Sequence, residues 1–301
     1  MKKNTLAQST VSLSSPSTQP PFPEPTAPSQ PASLPPTARL ALNRCNLPAV
    51  ILGSPTYQQH PVTLELDGIH PLHTRLFQAL DRIPGHSERA QHFRAYMTAH
   101  FRLDQLEDAG WQPGQHKKKR VNANYLRLVR GWSFDADGRE GAVLKNWVET
   151  RFGLLARNHA GPLGDRDSEA RHAFMAQAAA GIYATNAIEA QLDLLYTYCQ
   201  YELARQHPHT RQLTLYRGIN RIDEHEVLVR QARHRYRVLL NNLSSFTASR
   251  ERADEFGDYI LEVVVPLPKI SFFNQLLPGM LKGEDEFVVI GGVYDVGIAT
   301  L

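Results

Sequence analysis

The chain has 301 residues, 42% hydrophobic and 21% charged, the make-up of an ordinary globular protein able to bury one large core or two modest ones. A mean hydropathy of -0.38, with no apolar run near the roughly 18 residues of a membrane span, excludes an integral membrane protein. A net charge of only +3 gives no reason to expect nucleic acid as the main partner.

The basic start Met1-Lys2-Lys3 leads into Ser/Thr-rich sequence without an apolar core, so no export signal is expected and the reading is cytoplasmic. Residues 1–38 differ from all that follows: nine of the 20 prolines fall between Pro16 and Pro36. Such a stretch buries too little apolar surface to offset its ordering entropy, and a disordered extension is expected. From 39 to 206 the apolar period is helical. Leu72, Leu76, Phe77, Leu80 and Ile83 share one stripe, and Phe93, Tyr96, Met97 and Phe101 another. Helices are also expected over 122–132 and 143–155, and over 168–206 with a break where Asn186 and Glu189 resemble a capping box. The last of these buries Ile188, Leu192, Leu195, Cys199 and Leu203, which makes Cys199 a core residue. After His207-Pro208 the pattern becomes short strands at 213–216, 238–246, 259–265, 270–273 and 287–300, with a helical turn at 249–256. The expected fold is α+β: a helical N-terminal part on a mixed, mainly antiparallel β part spanning 207–301.

Several features carry little chemistry. The basic run His116 to Arg120 reads as a solvated loop. His70 with His73, and His207 with His209, lack third and fourth ligands at zinc spacing, and Cys45 and Cys199 match no metal or redox spacing, so no metal site is expected. The stretch 272–283, with Phe272, Phe273, Leu276, Pro278 and Gly279, reads as a mobile loop available to a partner, with one of the two phenylalanines kept as strand core.

Three strand-end motifs in the last third are more informative. Arg217 closes an apolar strand beside Gly218, where a planar, permanently charged fork is well placed to grip a phosphate. Ser245 and Thr247 share one face of the next strand and Phe246 the other, so small hydroxyls face one way. Gly283-Glu284-Asp285-Glu286 opens the final strand with Glu284 and Glu286 on one side, an arrangement suited to acid–base work. Each motif alone is an ordinary strand edge; their order is what matters.

That ordered set resembles the Arg-Ser-Glu class of mono-ADP-ribosyltransferases. The resemblance implies that Arg217 holds the phosphates of NAD, that Ser245 positions the catalytic Glu286, and that Gly218 and Thr247 line the NAD site. Phe246 departs from the Thr or Ser often found between the two hydroxyls, on the face turned away. From about Asn43 onward the chain is similar to the dinitrogenase reductase ADP-ribosyltransferases, through 45–49 (Cys-Asn-Leu-Pro-Ala), 241–247 (Asn-Asn-Leu-Ser-Ser-Phe-Thr) and 256–259 (Phe-Gly-Asp-Tyr). This family implies NAD as substrate and an arginine of dinitrogenase reductase, the nitrogenase iron protein, as acceptor. Glu284 would then orient that arginine and take its proton. It also implies a PII-type nitrogen-signalling protein as a regulatory partner. Three other readings stand beside it: an NAD glycohydrolase or a transferase with another acceptor, a non-catalytic NAD-binding docking regulator, and a glycosidase. The last is weak, because Glu284 and Glu286 share one strand edge and cannot flank a bond from opposite sides.

Overall fold

The computed structural model describes residues 33–104, 124–182, 187–232, 234–281 and 285–300. Among the described residues, nine α-helices come first: α1 (Ala49–Leu52), α2 (Pro55–Gln59), α3 (Ile69–Leu72), α4 (Thr74–Asp81), α5 (His86–His100), α6 (Tyr125–Phe134), α7 (Arg139–Phe152), α8 (Glu169–Ile182) and α9 (Ile188–Gln206). Their ends follow local chemistry. Ser54 accepts from the Tyr57 amide ahead of Pro55 in α2, Asn124 accepts from the Arg127 amide to open α6, and Gly153 ends α7 in the left-handed region. The stripe expected over 72–83 is divided at His73: Leu76, Phe77 and Leu80 are buried on α4, whereas Leu72 ends α3 and is exposed. Asn186 lies outside the described residues. The cap of α9 is Ala187 in the left-handed region with no side-chain cap, and Glu189 instead reaches Arg151 at 3.3 Å.

Six strands of the described residues follow: β1 (Gln212–Ile219), β2 (Glu226–Ala232), β3 (Arg235–Thr247), β4 (Tyr259–Pro266), β5 (Ile270–Phe273) and β6 (Glu286–Thr300), with α10 (Arg250–Asp254) between β3 and β4. All pairings are antiparallel, in the order β2-β3-β1-β4-β6-β5 with β3 also pairing β6. Strand β2 is an edge strand that the apolar pattern did not reveal, because none of residues 226–231 is buried. Between β3 and β6 the register breaks: Leu240 faces Gly292 and Leu243 faces Ile290, so Asn241 and Asn242 oppose Gly291 alone. This β-bulge frees two asparagine side chains. Asn241 Oδ1 accepts from the Arg157 amide at 2.8 Å, and Asn242 Nδ2 donates to the carbonyls of Lys145 and Leu154 at 2.8 and 3.1 Å.

Those bonds tie the helical part to the sheet, and apolar packing does the same. Ile188, Leu192, Leu195, Cys199 and Leu203 of α9 are all buried in one core with β-strand residues such as Val263, Ile270 and Val289. Full burial of each such side chain contributes about 1.5–3 kcal/mol. Charged links also cross the helices, among them Arg89 of α5, bidentate to Glu202 of α9 at 2.7 Å, Arg171 of α8, which reaches Glu149 of α7 at 2.6 Å, and Arg151 of α7, which reaches Asp193 of α9 at 2.7 Å. The packed chain begins before residue 39. Leu34 is 2% exposed, Ala38 is equally buried, and residues Pro36–Ala38 form a short 3-10 turn, so the compositional boundary lies a few residues too late. Among the described residues no helix is long and apolar enough to cross a membrane.

Candidate active site

Strands β1 and β3 meet at Tyr216 and Thr247, and β3 meets β6 with Thr247 opposite Glu286 and Ser245 opposite Val288. Ser245 and Glu286 are therefore diagonal neighbours on one face, within side-chain reach. The Ser245 hydroxyl donates to Glu286 Oε1 at 2.7 Å. From β1, Arg217 Nη1 donates to the Ser245 carbonyl at 2.8 Å, so arginine, serine and glutamate form one connected group. Phe246, opposite Phe287, points the other way and is buried.

Arg217 is electrostatically incomplete. Its Nε is buried without a hydrogen-bond partner among the described residues. Burial pushes the guanidinium down from its usual value, opposed by the charges of Glu224, Asp137 and Glu286. The residue is half-buried, and a shielded guanidinium donor left unused is suited to an incoming anion. The neighbouring His225 repeats the pattern: Nε2 is buried and unpartnered among the described residues, and burial, then the Arg217 charge, lower its pKa to about 4. An unused guanidinium donor with an unpartnered imidazole nitrogen beside it suits an anionic group such as a phosphate.

Gly218 lets α10 close on β1. A Cβ there would lie 2.2 Å from the Ala253 carbonyl oxygen, and one at Gly257 would lie 2.5 Å from the Ile219 backbone. Thr247 uses its hydroxyl oxygen locally, accepting from the Ser249 amide at 3.1 Å, while Ser249 caps α10. Glu284 and Gly283 lie outside the described residues, as does the basic run 116–120. The following Asp285 sits in the left-handed region at φ 54°.

Two site residues come from the helical part and carried no sequence signal. Trp132 Nε1 donates to Ser245 Oγ at 2.9 Å, and Ser133 Oγ donates to Glu286 Oε2 at 2.9 Å. The next residue, Phe134, is 93% exposed, and Phe256, which abuts Gly218, is 69% exposed. By contrast Phe272, Phe273 and Leu276 are all buried, with Phe273 stacked on Phe287 at 5.7 Å. They are core, not a surface for a partner: β5 pairs with the opening of β6 and draws both phenylalanines inward.

An arginine on one strand, a serine on the next and a strand-opening glutamate, bonded in series, form the constellation of the Arg-Ser-Glu mono-ADP-ribosyltransferases. Residues 42–298 match the family "Dinitrogenase reductase ADP-ribosyltransferase (DRAT)", and the chain belongs to it. It is 41% identical over 255 residues to the NAD(+)--dinitrogen-reductase ADP-D-ribosyltransferase of Rhodospirillum rubrum, covering 84% of this chain and 92% of that relative. No solved structure matches the chain.

Proposed function

We propose that the protein transfers ADP-ribose from NAD to an arginine of dinitrogenase reductase and so switches nitrogen fixation off. The observation that carries this reading is the bonded series Arg217–Ser245–Glu286 with its unsatisfied Arg217 Nε. Arg217, with His225 beside it, holds the pyrophosphate and folds the dinucleotide toward the carboxylate. Gly218 leaves room for this strand to lie against α10. As the bond from C1′ to nicotinamide breaks, its electron pair leaves with nicotinamide, and the sugar takes on oxocarbenium charge. Glu286 stabilises that charge and accepts from the ribose hydroxyl through lone pairs that the two serines leave free. A nitrogen of the acceptor arginine then bonds to C1′. Guanidinium is a poor nucleophile until it loses a proton, and Glu284 is the base we assign to take it.

Phe134 and Phe256, exposed near the carboxylate and the arginine, supply apolar contact for the acceptor protein. We also place the protein in the cytoplasm, with a PII-type nitrogen-signalling protein as its regulator; family resemblance supports both. The division of roles is tested by following nicotinamide release and protein labelling together. Glu284→Gln retains NAD cleavage and loses transfer, whereas Glu286→Gln loses both. Parental transfer by Glu284→Gln would remove its assigned role.

A further inference from the structure

We propose that Trp132 and Ser133, in the last turn of α6, are positioning residues that hold the Ser245 hydroxyl and the Glu286 carboxylate in a single orientation. The inference rests on the reading of Glu286 as the catalytic carboxylate and adds to it a part of the site supplied by the helical half of the chain. Donor and acceptor counting fixes the direction of every bond. An indole N–H only donates, so Trp132 occupies one lone pair of Ser245 Oγ at 2.9 Å. An ionised carboxylate only accepts, so the one hydrogen of Ser245 points to Glu286 Oε1 at 2.7 Å. Ser133 also has one hydrogen and two acceptors in range, the Val129 carbonyl at 3.4 Å and Glu286 Oε2 at 2.9 Å. The shorter, charge-assisted bond takes it. Each oxygen of Glu286 is then held by a different serine, which fixes the plane of the carboxylate as well as its position.

The helix that delivers these groups is itself held. Trp132 is buried with Lys145 Nζ 5.8 Å from its ring centre, and Arg130 Nε donates to the carbonyl of Met280, six residues before Glu286, at 2.8 Å. Successive helical residues point about 100° apart, so Trp132 and Ser133 can serve neighbouring strands only where the strand ends abut the helix end. The β part thus contains the reacting groups but not everything that orients them.

Steady-state nicotinamide release by the full chain tests this, with parent, Glu286→Gln, Ser133→Ala, Ser133→Thr and Trp132→Phe compared. Ser133 is exposed, so its alanine variant melts with the parent. The expected result is a kcat lowered about tenfold in Ser133→Ala and Trp132→Phe, the size of one lost charge-assisted or network bond. KM for NAD stays within about twofold of the parent, because the phosphate grip is untouched. Ser133→Thr restores most of the kcat, and the double variant is less than additive, since both bonds serve one group. Parental or higher kcat in both single variants, a change confined to KM, or no recovery with threonine would overturn the positioning role while Glu286→Gln still abolished turnover. A folded parent that releases no nicotinamide would instead overturn the underlying reading, and the inference with it.

Discussion

Replacing Gly218 by alanine adds one methyl group where β1 and α10 are closest. The new Cβ would stand 2.2 Å from the Ala253 carbonyl oxygen and 2.9 Å from two atoms of Phe256, where ordinary contact starts at 3.4 Å. The gap must widen by 3.4 − 2.2 = 1.2 Å against the carbonyl, and the obstacle is backbone that cannot rotate aside. Gly257, three residues beyond α10, is also tightly placed, with a Cβ there 2.5 Å from the Ile219 backbone, so the junction has little slack. Overpacking of this kind costs about 1–3 kcal/mol. At about 2 °C per kcal/mol, the low end suited to a chain of 301 residues, melting should fall by roughly 2–6 °C. The shift also moves the adjacent Arg217, and a displacement near 1 Å is enough to raise KM for NAD about tenfold or more. Gly279→Ala is the comparison: it has the left-handed φ of 74° but nothing within 4 Å of its Cβ, so it is strained without touching the site. Thermal melts and nicotinamide release on both variants decide the matter. A Gly218→Ala protein with parental melting and parental KM would refute the steric argument.

Four further outcomes follow from the structure. Burial, and after it His100 beside the one and the Arg217 charge beside the other, lowers the pKa of His73 and of His225 to about 4, so below pH 6.5 the unfolded chain takes protons that the fold refuses. Stability should fall between pH 6.5 and 4 by up to about 3 kcal/mol per histidine, and urea midpoints for His73→Asn should show a shallower slope than the parent. Lys269 is buried with its ammonium donating to the Gly291 carbonyl between the rings of Tyr57 and Tyr294, and burial lowers its pKa to about 7. Stability therefore rises with pH from 7 to 10.5, by about 5 kcal/mol over the whole span, and Lys269→Met should abolish that rise. Glu202→Gln leaves the buried Arg89 without its carboxylate and should cost about 3–5 kcal/mol by urea unfolding. Phe134→Ala should lower labelling of dinitrogenase reductase about tenfold, the weight of an interface anchor, while nicotinamide release stays parental.

Where local spacing decides the outcome, the sequence was readable. The apolar period located α9 and its buried stripe, and strand alternation put Ser245 and Phe246 on opposite faces. The arginine, serine and glutamate were singled out by their order along the chain and the family resemblance it carries, although β1 runs on to Ile219 and so does not end at Arg217. What escaped depends on distant packing. Trp132 lies on the same apolar stripe as Tyr125 and Leu128, and nothing nearby signals that its N–H meets a serine 113 residues later. Strand β2 has no buried side chain over 226–231 to give it a pattern. The strand at 270–273 was legible, but a four-residue strand is too short to show which faces are buried, so one of its phenylalanines and Leu276 were expected in a loop until β5 paired with β6. Asn241 and Asn242 contributed to the family resemblance, but their reason is a bulge that sends both amides to the helical part.

The most direct test of the account is transfer of label from adenine-labelled NAD to purified dinitrogenase reductase, run with parent, Glu286→Gln, Arg217→Ala and a control lacking the acceptor. The account predicts label on an arginine of the acceptor with the parent, and none above control with either folded variant. Label transferred at the parental rate by Glu286→Gln, or NAD consumed by the parent with the acceptor left unlabelled, would contradict it.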